Sequence, residues 1–285
     1  MYNTVMSKRK NLYRYSVLCA LEELPAAYPA TLKGGIEDVA RRAAAAGASA
    51  MELHIRDPEK YDGNELAYAA MNNSLSFSVI STGLEYVLNR LILIDDDPKI
   101  RNAAVKRLKE HIDLAEMIEC GGVVIGMMRG SIPDFAKYEK YEGRLTEAVL
   151  ELSDYAAGKQ VVLLIEGINR YVTNYLCGVP ETLTYVRKLD RQNIMIHIDT
   201  HQMNIEDSDF AEAIRMCGEK LGYVHLSDNN RACPGGGNID FLPVLRALSE
   251  ISFKGFLGLE SVECPPGSGA LKTSIEMLRG LEGEI

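Results

Sequence analysis

"NIMIHIDTHQMNIED", residues 193–207, decides how the rest of the chain is read. Ile194, Met195, Ile196 and Ile198 make the apolar run of a short strand, and His197, Asp199 and His201 then fall at every second position. Groups able to bind a metal, gathered at the tip of an apolar strand, suit a parallel sheet whose strands are buried along their length and open onto a site at their carboxyl ends.

Outward from this stretch the pattern repeats. Strand-length apolar runs occur as "YSVLCA" from residue 15, "AMELHIR" from 50, "LSFSVIST" from 75, "GVVIGMM" from 122, "VVLLIEG" from 161, "IMIHIDT" from 194, "YVHLSD" from 223 and "GFLGLES" from 255. Helical patterns lie between them. "IEDVARRAAAAGA" stops near Gly47, "PKIRNAAVKRLKEHIDLAEMIECGG" opens on a proline and ends at a glycine pair, and "VPETLTYVRKLD", "SDFAEAIRMCGEKLG" and "NIDFLPVLRALSEI" follow the same grammar. Eight βα units predict a single (β/α)8 TIM barrel over residues 13–285, preceded by a short arm over 1–12; a doubly wound open sheet is the alternative. No linker or low-complexity tract divides the chain.

Composition narrows the function. The chain has 285 residues, 31 Lys and Arg against 40 Asp and Glu, and a formal charge of −9, which argues against a grip on nucleic acid and for a small polar substrate. It contains no apolar run of membrane-spanning length, and its basic N-terminal stretch lacks the apolar centre of a secretory signal, so a soluble cytoplasmic protein is expected. Six scattered cysteines without a CxxC pair read as reduced thiols.

Four polar residues sit at or near the ends of successive strands: Glu166, Asp199, His225 and Glu260. Each follows an apolar run and belongs to a different βα unit, so a barrel would bring all four to one mouth. An ionised carboxylate taken out of water needs a partner or a cation, and three carboxylates with one imidazole suit a divalent metal. Oxygen and nitrogen donors without thiolate favour Mn2+, Mg2+ or Co2+, with Zn2+ also compatible. Helix capping or pairing with an arginine is the plainer account of any one of them alone. His197 reads as a hydrogen-bonded core histidine that orients a ligand, His54 as structural or supporting, and His111, inside a charged helix, as solvated. The loop "PGGGNIDF" (234–241) reads equally as a phosphate cradle or as a glycine turn entering a helix.

The stretches "ELHIRDP" (52–58), "STG" (81–83), "GVVIGMMRG" (122–130), "EGINRYVTNY" (166–175), "DTHQMNIED" (199–207), "HLSDNNRACPGGGNIDF" (225–241) and "GFLGLE" (255–260) together resemble the sugar-phosphate isomerase/epimerase superfamily of xylose-isomerase-like TIM barrels, nearest its ketose 3-epimerase and 5-keto-L-gluconate epimerase branch. The resemblance implies that Glu166, Asp199, His225 and Glu260 bind one divalent ion, most often manganese, and that Glu166 and Glu260 are also the acid/base pair. It implies that Arg231 contacts substrate and that His201 and Gln202 face it. Glu263 is a rival for the last ligand position, although the spacing favours Glu260. Two departures stand out: Val172 replaces a second glutamate of the E-x-x-N-R-Y-E pattern, and Gln202 replaces a histidine of D-T-x-H-M-N. Both family residues hold substrate hydroxyls.

The implied activity is metal-dependent isomerisation or epimerisation of a keto-sugar or sugar acid, through proton abstraction and return by way of a stabilised enediolate. Homodimers or homotetramers are expected, as among relatives. A lyase or dehydratase using the same site is the alternative; an endonuclease IV-like DNA repair enzyme, which would need more histidines, and a non-catalytic sugar-binding protein are less consistent with these residues.

Overall fold

A computed structural model describes residues 12–24, 28–264 and 269–285. The expected arm therefore lies almost wholly outside the described residues. Eight parallel strands form the sheet: β1 (Arg14–Ala20), β2 (Ala50–His54), β3 (Ser76–Ser81), β4 (Gly122–Ile125), β5 (Val162–Glu166), β6 (Ile194–Asp199), β7 (Leu221–Leu226) and β8 (Phe256–Leu259). Each pairs with the next, and β1 also pairs with β8, from Arg14 opposite Phe256 to Val17 opposite Leu259, so the sheet closes into a TIM barrel. A two-residue strand, Leu32–Lys33, adds to the end of β1. The eight strand positions agree with the sequence reading because strands buried on both faces are nearly continuous apolar runs.

The helices form the outer layer. α1 (Ile36–Ala46) ends where Gly47 takes the left-handed conformation. α4 (Pro98–Met117) begins on its proline, as expected, but stops before the glycine pair, because Glu119 turns the chain with a φ of 53°. His111 is a correction to the sequence reading: it is fully buried, with its two ring nitrogens 2.9 Å from the Arg107 carbonyl and 3.0 Å from that of Ile55. The helix face that carries it packs on the barrel. All six cysteines are free, with the Sγ atoms of Cys233 and Cys264 2.9 Å apart. Among the described residues no helix is long and apolar enough to cross a membrane.

Val79, Val124 and Leu164 pack with the Tyr223 ring, and the Tyr223 hydroxyl belongs to a hydrogen-bonded chain in the barrel interior. Ser16 Oγ is 2.7 Å from Ser78 Oγ, Ser78 Oγ is 3.1 Å from the Tyr223 hydroxyl, and Tyr223 donates to Glu52 at 2.8 Å. Burial of these four polar side chains is tolerable because each member of the chain finds a partner inside.

Candidate active site

Glu166 ends β5, Asp199 ends β6, His225 lies one residue from the end of β7, and Glu260 follows β8. Parallel register aligns these tips: Glu166 stands opposite His197, and Asp199 opposite His225. One donor atom from each of Glu166, Asp199, His225 and Glu260 lies within 4.8 Å of the others. Around an ion with bonds of roughly 2.0–2.2 Å, ligand atoms stand at most about 4.4 Å apart, so adjustments of a few tenths of an ångström would close this set on a divalent cation.

The orientation of His225 fits that reading. Its Nε2 is 2.7 Å from Glu52 Oε2, while its Nδ1 points into the cluster, 3.2 Å from Glu260 Oε2 but not aligned for a hydrogen bond. An imidazole anchored through one nitrogen to a carboxylate and open at the other is the usual posture of a metal ligand. Glu52, on β2, is fully buried and is also bonded to Ser81. Sequence reasoning gave it no role. A carboxylate in the middle of "AMELHI" was the available signal.

Arg231 departs from expectation. The guanidinium, assigned to substrate by resemblance, bridges the carboxylates of Asp199 and Glu260. Asp199 also caps helix α7 (Thr200–Glu206), accepting from the His201 amide at 2.9 Å. Arg231 and a divalent ion are thus alternative counterions for the same two oxygens. The plain pairing with arginine applies to these carboxylates, yet one guanidinium does not balance Glu52, Glu166, Asp199 and Glu260 together.

These charges separate the two glutamates. Burial and the neighbouring Glu260 push Glu166 up to about 8, against the pull of His225. Burial alone would raise Glu260 as well, but Arg231 and His225 hold it well below the usual carboxylate range. His225 itself is raised: burial opposes its charge, and Glu52 and Glu260 outweigh burial.

His197 does not support Asp199 by a hydrogen bond, as the sequence suggested. Among the described residues neither ring nitrogen has a hydrogen-bond partner, and the ring stands edge-on to His225 at 4.3 Å. Burial and the charge on His225 keep it neutral, and together with Glu166 and His225 it forms a second group of donors within the same 4.8 Å limit. His54, expected to be structural or supporting, lines the cavity beside Tyr28, whose hydroxyl is 3.4 Å from Nε2; burial lowers the imidazole to about 4.

Glu166, His225 and Glu260, together with His201, Gln202 and Arg231, the three residues expected to meet substrate, line a cavity of about 340 Å3 that the fully buried Asp199 does not reach. His201 and Gln202 lie in the first turn of α7 rather than on an extended segment. The Gln202 oxygen accepts from both the backbone and side-chain nitrogens of Asn169. Gly126 is needed beneath Glu166, since a Cβ there would come within 2.5 Å of its Oε2. Glu263 lies outside the cluster, 3.6 Å from Lys33. The glycine loop is no open phosphate cradle: buried Asp228 accepts from the amides of Gly235 and Ile239, both at 3.0 Å. Arg129, also missed, is buried and donates to the carbonyls of Gly126, Tyr175 and Leu176, which ties the loop after β4 to the loop after β5.

Comparison with known proteins agrees with this architecture. A family model described as "Xylose isomerase-like TIM barrel" matches residues 40–281. The chain is 30% identical over 233 residues to an L-ribulose 3-epimerase of Methylomonas sp. (strain DH-1), covering 77% of this chain and 76% of that protein. It is 30% identical over 231 residues to a ketose 3-epimerase of Arthrobacter globiformis, covering 80% and 78%. The crystal structure of a D-allulose 3-epimerase from Methylomonas sp. in complex with D-allulose superposes with a TM-score of 0.78 at 23% identity, over 94% of this chain and 97% of that one.

Proposed function

The chain belongs to the xylose isomerase-like TIM barrel family, and from that premise we propose that it is a metal-dependent epimerase or isomerase of a keto-sugar. The observation that carries this reading is the meeting of Glu166, Asp199, His225 and Glu260 at the carboxyl ends of four successive strands. We assign these four as the ligands of one divalent ion. Manganese suits three hard oxygen donors with a single imidazole, and Mg2+, Co2+ or Zn2+ would use the same donors.

When bound, such an ion withdraws charge from the substrate carbonyl and so acidifies the neighbouring C–H. Glu260, held ionised by Arg231 and His225, is the group able to take that proton. Glu166, whose proton affinity burial raises, is the group able to give one back. Return to the same carbon from the opposite face inverts it; return to the adjacent carbon exchanges aldose and ketose. Arg231 fixes the direction of the Glu260 carboxylate, and Gln202, with its oxygen committed to Asn169, has its amide N–H groups to offer substrate. His201 contributes an imidazole to the same wall.

We read the reduced cysteines as those of a cytoplasmic enzyme and expect a homodimer or homotetramer, which sedimentation velocity would test. The reaction is tested by incubating the Mn2+-loaded protein with keto-sugars and sugar acids in D2O. Deuterium should enter the recovered sugar at the carbon beside the ketone. Saturable binding with no exchange on any member would overturn the assignment, and a product of lower mass would indicate elimination instead.

A further inference from the structure

The cavity has one wall that cannot serve a hydroxyl. Val87, Met127, Ile168 and Val172 line it from the segments that follow β3, β4 and β5. Met127, Ile168 and Val172 also border a small side pocket that Tyr86, Arg129, Gly130, Ser131 and Thr173 complete, so the apolar wall proper consists of the four side chains named above. Three backbone donors along it are taken. Ile168 N–H donates to the Leu176 carbonyl at 3.4 Å, Asn169 N–H to Gln202 at 3.1 Å, and Val172 N–H to the Asn169 carbonyl at 3.0 Å. The Gln202 oxygen, the nearby acceptor, is committed to Asn169 as well. By contrast, Tyr28, His54 and Ser81 line the same cavity with hydroxyls and an imidazole.

A sugar hydroxyl set against this wall gives up water on that side and gains no hydrogen bond from the alkyl groups it meets. We propose that the substrate presents an apolar substituent to Val172 where an ordinary ketose would present a hydroxyl. The substrate class is therefore a keto-sugar in which that position is deoxygenated or carries an apolar aglycone. This rests on the keto-sugar reading above and makes Val172 a specificity-determining residue. Val172 is 47% exposed, so it contributes little to the core, and a polar replacement there leaves packing intact.

The experiment measures deuterium incorporation from D2O, as kcat/KM, for a 2-ketose and its deoxy counterparts, and for a 3-keto-aldose and its methyl and phenyl glycosides, in which the ketone is not the glycosidic carbon and stays free. Both the Mn2+-loaded wild type and Val172→Gln are used, each first checked by its melting curve. The wild type is expected to favour at least one apolar member over its hydroxylated parent by about tenfold or more, the range that a methyl-sized difference in an apolar pocket supports. Val172→Gln should reverse that preference by a similar factor. Preference for the deoxy sugar identifies a small apolar contact, and preference for the phenyl glycoside identifies an aglycone. Exchange that is equal on all members, or a ratio that Val172→Gln does not move, would overturn the inference while leaving the keto-sugar assignment standing. No exchange on any member would overturn that assignment instead.

Discussion

Glu52 Oε2 lies 2.7 Å from His225 Nε2, so a carboxylate on the second strand fixes an imidazole on the seventh across the barrel interior. The same oxygen accepts from Tyr223 at 2.8 Å, and the other is bonded to Ser81. These contacts hold the Glu52 carboxylate in place, and with it the direction in which Nδ1 faces. Glu52→Gln keeps the shape and removes the charge. Affinity for Mn2+ by calorimetry is expected to fall by about 10–100-fold, the usual cost of losing a carboxylate behind a ligating histidine. Unchanged affinity would sever Glu52 from the metal site. Glu52→Ala, which strands Tyr223 and His225 in the interior, should cost about 3–5 kcal/mol of stability in a denaturant titration.

Glu166→Gln and Glu260→Gln each remove a group assigned to proton transfer. Deuterium exchange into a verified substrate should drop by about 10²–10⁴-fold in either variant, with the circular dichroism spectrum retained. Near-normal exchange in one of them would reassign that glutamate to positioning alone.

Mn2+ should stabilise the folded chain by about 2.7 kcal/mol when present at a hundredfold excess over its dissociation constant, and a chelator should reverse the rise in melting temperature. His225 adds a sign to the pH dependence. Glu52 and Glu260, against burial, raise its proton affinity, so below that raised value a proton competes for Nδ1. Affinity should therefore increase as pH rises, with proton release visible as a buffer-dependent heat of binding. Binding of equal strength from pH 5.5 to 8, without proton release, would contradict the assignment of His225 as a ligand.

Asp207 offers a test away from the cavity. Its carboxylate accepts from the Val179 amide at 3.2 Å, in the first turn of α6 (Gly178–Leu189), and burial pushes it up to about 6, with Val179 opposing and Glu206 assisting. A folded-state value above the unfolded one means that the protonated form is favoured by folding; this contribution is complete below the ordinary value near 3.8 and is lost as pH rises through about 6. Asp207→Asn mimics the protonated form. Its melting temperature should match the wild type near pH 4 and exceed it above pH 7. A wild type that is the more stable at pH 7.5 would show that the charge is stabilising at that helix start.

Strand positions and the four strand-end donors were legible because both are local patterns: an apolar run, then one ionisable residue. What could not be read depends on distances across the barrel. Glu52 acquires its role from His225, far along the chain; the carboxylate inside "AMELHI" is visible in the sequence, but its partner is not. His197 and Asp199 share a strand face, which suggested a hydrogen bond, but the pleat directs the ring toward His225 instead. The buried face of α4 was obscured for His111 because charged neighbours on the other faces dominate its sequence. Arg231 reaches Asp199 and Glu260 only through the turn of its loop, where it adopts a φ of 64° that no strand or helix rule anticipates.

The ring of strands is sealed by its first and last members, and the Thr31 hydroxyl adds bonds to the Leu259 carbonyl at 2.7 Å and the Ser261 amide at 3.0 Å on either side of Glu260. During synthesis, Glu166, Asp199 and His225 leave the ribosome well before Glu260 can take its place beside them. A chain released before its eighth strand is made lacks both the seam and the fourth donor, so the closed barrel and the complete donor set arise together, with that strand.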